Sequence, residues 1–100
     1  MTQDVTVVMA FTTEQARNKL TEGRQVALIS SIMDTINTGA TLTEHMGGYI
    51  MDNGTYAIEY SYTIDMYGLN QEQVDKAREL FVDLKNLNKQ ESIIFNGDFI

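Results

Sequence analysis

Twice along the chain an apolar residue is followed by a helix-capping residue, and a glutamine stands three positions beyond the cap. The two stretches are Phe11-Thr12-Thr13-Glu14-Gln15-Ala16 and Leu69-Asn70-Gln71-Glu72-Gln73-Val74. Each fits a capping box, in which cap and glutamine satisfy one another's backbone N–H groups. An apolar staple closes over it, Phe11 on Ala16 and Leu69 on Val74. Ahead of the first lies "DVTVVMAF", residues 4–11, where Val5, Val7, Met9 and Phe11 alternate with Asp4, Thr6, Val8 and Ala10. That period of two is the mark of a strand with its odd positions inward. The chain is thereby committed to two units in which a strand runs straight into a capped helix.

After the first cap, Val26, Ile29, Ile32, Met33 and Ile36 recur at helical spacing, and Gly39 is placed to end the helix. One unbroken helix over 13–38 would be about 39 Å long, against roughly 27 Å for an eight-residue strand. The mismatch predicts a break near Gly23, with Thr21 as a second cap. After the second cap, Val74, Ala77, Leu80, Phe81, Leu84 and Leu87 form a stripe that ends at Asn86 or Asn88.

Between the helices, "YIMDNGTYAIEYSYTIDMYG" alternates around Asn53-Gly54. Asn-Gly is the favoured pair for a two-residue type I′ hairpin turn, since both positions take positive φ. This register sets Asp52 opposite Thr55 and Met51 opposite Tyr56. Tyr56, Ile58, Tyr60, Tyr62, Ile64 and Met66 then share one face, with His45 opposite Tyr62. Glu59 and Asp65 share the other with Asp52 and Glu44, unless Gly47-Gly48 forms a bulge that flips the earlier residues. "SIIFNGDFI" reads as a last strand. The order βαββαβ is that of a ferredoxin-like α+β fold: a four-stranded antiparallel sheet with two helices on one face, a single domain over 1–100.

Chemistry is constrained mainly by what the chain lacks. With no cysteine there is no disulfide, thiolate metal site or thiol nucleophile. His45 is the only histidine, and neither phosphate-loop nor dinucleotide glycine spacings occur. "MDNG" lacks the later acids of a calcium loop. No cofactor or metal is expected. No apolar run approaches the roughly 20 residues of a membrane span, and "MTQDVTVV" has no basic leader, so a cytoplasmic location is expected.

The net charge is −7, and all seven basic residues lie outside 25–75, a segment holding seven of the fourteen acids. The whole imbalance therefore falls on the central half. Tyrosines on a surface without Lys or Arg make a poor platform for nucleic acid, so they are read as core. Glu44, Asp52, Glu59 and Asp65 are read as an anionic open face that steers a basic protein partner, one that itself handles nucleic acid. The sequence thus favours a small, acidic, non-enzymatic interaction module, comparable in kind to phage-encoded inhibitors of host enzymes and defence systems. The alternative is a homo-oligomeric binder or enzyme with a small-molecule pocket near His45, dimerising through Thr6, Val8, Ala10 and Ile94 on the open face.

Overall fold

The computed structural model describes residues 1–10, 19–88, 90 and 92–100. The elements run β1 (Gln3–Met9), α1 (Glu22–Ile36), β2 (Thr41–Ile50), β3 (Tyr56–Leu69), α2 (Gln71–Leu87), β4 (Ile94–Phe95) and β5 (Asp98–Phe99). The five strands form one antiparallel sheet in the order β2-β3-β1-β4-β5. An α+β chain was expected, but with four strands. The fifth arises because the last apolar stretch is itself a hairpin, turning at Asn96-Gly97 with φ of 50° and 89°. Both turn residues have positive φ, as a type I′ turn requires.

The first Asn-Gly pair turns differently. Gly54 N–H donates to the Met51 carbonyl and Met51 N–H to the Thr55 carbonyl, so the loop holds three residues, Asp52 to Gly54. Gly54 has φ +83°. This is a turn closed by a glycine bulge rather than the expected two-residue turn. The Asn53 side-chain oxygen accepts from the Thr55 backbone N–H at 3.1 Å and its hydroxyl at 2.6 Å, which favours the longer loop. One added loop residue shifts the pairing by one. Ile50 faces Tyr56, Glu44 faces Tyr62 and His45 faces Ser61. Gly47-Gly48 pairs in continuous register, without the expected bulge. The sheet's irregularity lies between Gln3 and Val5, where the Asp4 carboxylate accepts from Gly68 N–H at 3.0 Å.

Thr21 caps α1, as expected for the second cap: its hydroxyl accepts from Arg24 N–H at 3.3 Å. The expected cap at Thr12 and Gln15, with its Phe11–Ala16 staple, lies outside the described residues. α1 ends at Asn37, whose φ of 59° lets its N–H return to the Met33 carbonyl, two residues before the expected Gly39. α2 follows the sequence reading. Gln73 N–H donates to the Asn70 side chain and Asn70 N–H to the Gln73 side chain, both at 2.9 Å. The Gln73 amide also donates to the Ile36 and Asn37 carbonyls, so the same residue closes the end of α1.

The core gathers Val5, Val7 and Met9 of β1, Ile64, Met66 and Leu69 of β3, and Phe95 of β4. Against them pack Ile32 and Ile36 of α1 and Val74, Ala77 and Phe81 of α2. Phe81 and Phe95 meet with ring centroids 6.5 Å apart, and the Arg78 guanidinium lies 4.8 Å from the Phe95 centroid. Among the described residues the helices do not reach along the full hairpin, and Tyr56 is 79% exposed while Tyr62 is 1% exposed. Met46, Tyr49, Ile50 and Ile58 are exposed with Tyr56. The expectation of a continuous buried tyrosine face holds at Tyr62 and fails at Tyr56. Among the described residues no helix is long and apolar enough to cross a membrane.

Candidate functional site

Where the approach to α1 crosses β2 and β3, polar groups converge on the helix side of the sheet. Tyr62 stands on β3 directly opposite Glu44 on β2, and pleating turns both side chains toward the helices. The Tyr62 oxygen accepts from Leu20 N–H at 2.8 Å, and the Glu44 carboxylate lies close enough to act on its phenol. One oxygen of Glu44 receives the Lys19 ammonium at 3.2 Å, the other the Gln25 amide at 3.2 Å. Gln25 also donates to the Leu20 carbonyl at 3.0 Å, tying the network to the strand-to-helix connection. The Glu44 carboxylate thus has a cation, an amide and a phenol around it.

Burial, reinforced by the nearby Glu44 carboxylate, raises the Tyr62 phenol above its ordinary value, while the bond from Leu20 works in the other direction. The phenol stays neutral at physiological pH. Outside this network lies a cleft of about 530 Å³, lined by Lys19, Leu20, Thr21, Glu22, Gln25 and Glu44. That is the size of a small-molecule site. A desolvated phenol, a fixed carboxylate and an exposed cation beside such a cleft can bind a ligand carrying both polar and charged groups.

The four residues expected to form one acidic face separate. Glu44 is the correction: the one-residue shift in register turns it away from Glu59 and Asp65 and onto the helix side. Glu59 and Asp65 stay on the open face. Asp65 accepts from the Thr6 hydroxyl at 2.7 Å, and Glu59 accepts from the Tyr49 hydroxyl at 3.3 Å. Asp52 lies in the exposed turn. His45, expected on the core side, is on the open face instead, paired opposite Ser61 and 2.7 Å from the Thr63 hydroxyl. Lys19 and Gln25 were not singled out as a pair with Glu44. The signal that would have found them is the register itself, since they approach Glu44 only once it faces the helices.

No family model matches the chain, and no curated protein does. Solved structures do. A phage SAM lyase in complex with S-methyl-5'-thioadenosine matches with a TM-score of 0.64 at 20% identity, covering 98% of this chain and 84% of that one. A phage SAM lyase in its apo state gives 0.63 at 20%, covering 97% and 82%. At this identity the likeness concerns the fold. It overturns the expectation of a non-enzymatic chain, because an architecture read as an interaction module is one that an enzyme uses.

Proposed function

We propose that the chain is a lyase acting on a sulfonium nucleoside, S-adenosylmethionine, and that the cleft beside Glu44 and Tyr62 is its substrate site. The observation that carries this reading is the Lys19–Glu44–Gln25–Tyr62 network at the mouth of a ligand-sized cleft. The shared fold supports it, and a phage source accords with that likeness. The fold reads best as a ferredoxin-like core with β5 added at one edge. The net charge of −7 also fits a substrate that carries a net positive charge.

Release of methylthioadenosine breaks the bond between the sulfonium sulfur and the four-carbon amino-acid chain. The bonding pair goes to sulfur, which becomes a neutral thioether. The four-carbon fragment balances the equation without water, either by closing on its own carboxylate or by losing a proton to form an alkene. In both routes positive charge on sulfur disperses in the transition state, which a partly desolvated site favours. Gln25 holds the Glu44 carboxylate in place, and Glu44 in turn orients the cationic substrate.

The test is to incubate the purified chain with S-adenosylmethionine, follow methylthioadenosine by chromatography and identify the four-carbon fragment by NMR. Turnover is expected, with Glu44→Gln lowering kcat/KM at least tenfold. If methylthioadenosine forms no faster than in buffer, the reading fails.

A second reading rests on the open face, where Glu59 and Asp65 lie on a sheet whose five strands carry no Lys or Arg. This face would engage a basic protein. The double reversal Glu59→Lys, Asp65→Lys should then abolish capture of that partner in a pulldown while leaving turnover intact. Unchanged capture would remove it.

A further inference from the structure

Resting on the lyase reading, we infer that Lys19 and Glu44 form a clamp for an α-amino acid headgroup, each taking the group of opposite charge. The Lys19 ammonium and Glu44 carboxylate face one another at 3.2 Å over the cleft. The two are unequally held. Glu44 is only 23% exposed, is held by the Gln25 amide and stands opposite buried Tyr62, whereas Lys19 is 62% exposed. An ion pair with one partner this exposed contributes little to stability, so opening it costs little. The Glu44 oxygen that Lys19 occupies is the one without the Gln25 bond, and it is therefore the exchangeable one.

An α-amino acid carries an ammonium and a carboxylate separated by one carbon. Inserted between Lys19 and Glu44, its ammonium takes the place of Lys19 on Glu44, and the released Lys19 takes the carboxylate. One intramolecular pair is exchanged for two intermolecular ones with no net change of charge. A ligand with only the ammonium would leave Lys19 displaced without a partner, and a ligand with only a carboxylate would meet Glu44. The pair therefore selects a zwitterion and assigns the amino-acid end of the substrate, rather than its ribose, to Glu44. Lys19 becomes a specificity-determining residue.

Three probes separate this from the lyase reading in calorimetric titrations: S-adenosylhomocysteine, which has the amino-acid end with a neutral sulfur, methylthioadenosine, which lacks that end, and L-methionine. Wild type is expected to bind S-adenosylhomocysteine at least tenfold more tightly than methylthioadenosine. Lys19→Ala should remove that advantage and leave methylthioadenosine within about twofold. Because Lys19 is exposed, its loss should leave the circular dichroism spectrum unchanged, and Lys19→Glu provides a second variant that should weaken S-adenosylhomocysteine further. If wild type and Lys19→Ala bind both nucleosides alike, the clamp is overturned while the lyase reading stands. If only L-methionine binds, and does so through Lys19, the clamp stands and the lyase reading falls. Binding of none of the three overturns both.

Discussion

Tyr62 and the two Asn-Gly pairs show how far single residues decide this molecule. Tyr62 keeps its proton more tightly when folded, chiefly because burial disfavours the phenolate. Below its ordinary value of 10.0 the phenol is protonated in both folded and unfolded chains. Above that value the unfolded chain ionises first, so stability falls with rising pH until the folded phenol also ionises. For one proton the slope is about 1.4 kcal/mol per pH unit. Tyr62→Phe should flatten that alkaline decline in denaturant titrations. It should also cost about 1–3 kcal/mol at neutral pH by leaving Leu20 N–H without an acceptor. An unchanged alkaline slope would show that Tyr62 is not the group responsible. The Asn-Gly pairs carry a different lesson. Asn53-Gly54 precedes Thr55, whose two donors both find the Asn53 side chain, whereas Asn96-Gly97 precedes Asp98 and makes the two-residue turn. The dipeptide predicts that a hairpin turns there, but the residue after it bears on which turn forms. Because side chains alternate, that single difference placed Glu44 and His45 on the wrong faces in a reading from sequence.

Among the elements, α2 was legible from its cap to Leu84 because its signals are local, cap, glutamine, staple and apolar stripe all lying within one segment; only Leu87 at the end of the stripe is exposed. α1 was legible only in outline. Its start at Glu22 agrees with the restart inferred from a length mismatch, but Val26 and Met33 on the expected inward stripe are exposed, while Leu28 packs on the core. That choice depends on how the helix rolls against α2 and the sheet, which no local spacing states. The Gln73 side chain joins the two helices by bonding both Asn70 and the end of α1. Gln73→Ala should therefore cost more than an ordinary box residue, about 1–2 kcal/mol, or several degrees in Tm. A loss below about 0.5 kcal/mol in urea titration would mean that the bonds to Ile36 and Asn37 add nothing. Gly97→Ala forces a side chain into a residue with φ of 89° and should destabilise by about 1 kcal/mol or more, checked in the same titration.

For the whole molecule, the sequence conveyed the α+β architecture and the concentration of charge, but not the site. A site made of Lys19, Gln25, Glu44 and Tyr62 comes from four separate places in the chain, and no motif spacing records it. The charge acts at this scale as well. A field from a net −7 attracts cations toward the surface, and salt screens it over about 8–10 Å. On the proposed lyase reading, raising ionic strength from 50 to 500 mM should raise KM for S-adenosylmethionine severalfold in steady-state kinetics with kcat little changed. A flat salt profile would place recognition wholly in short-range contacts. Beyond Tyr60 the β2–β3 hairpin is held, among the described residues, mainly by its own ladder, and Tyr56 and Ile58 are exposed. Its tip can therefore melt while the remainder stays folded. Deuterium uptake should rise along β3 from Ile64 outward to Ile58, so that one strand reports both global and purely local opening.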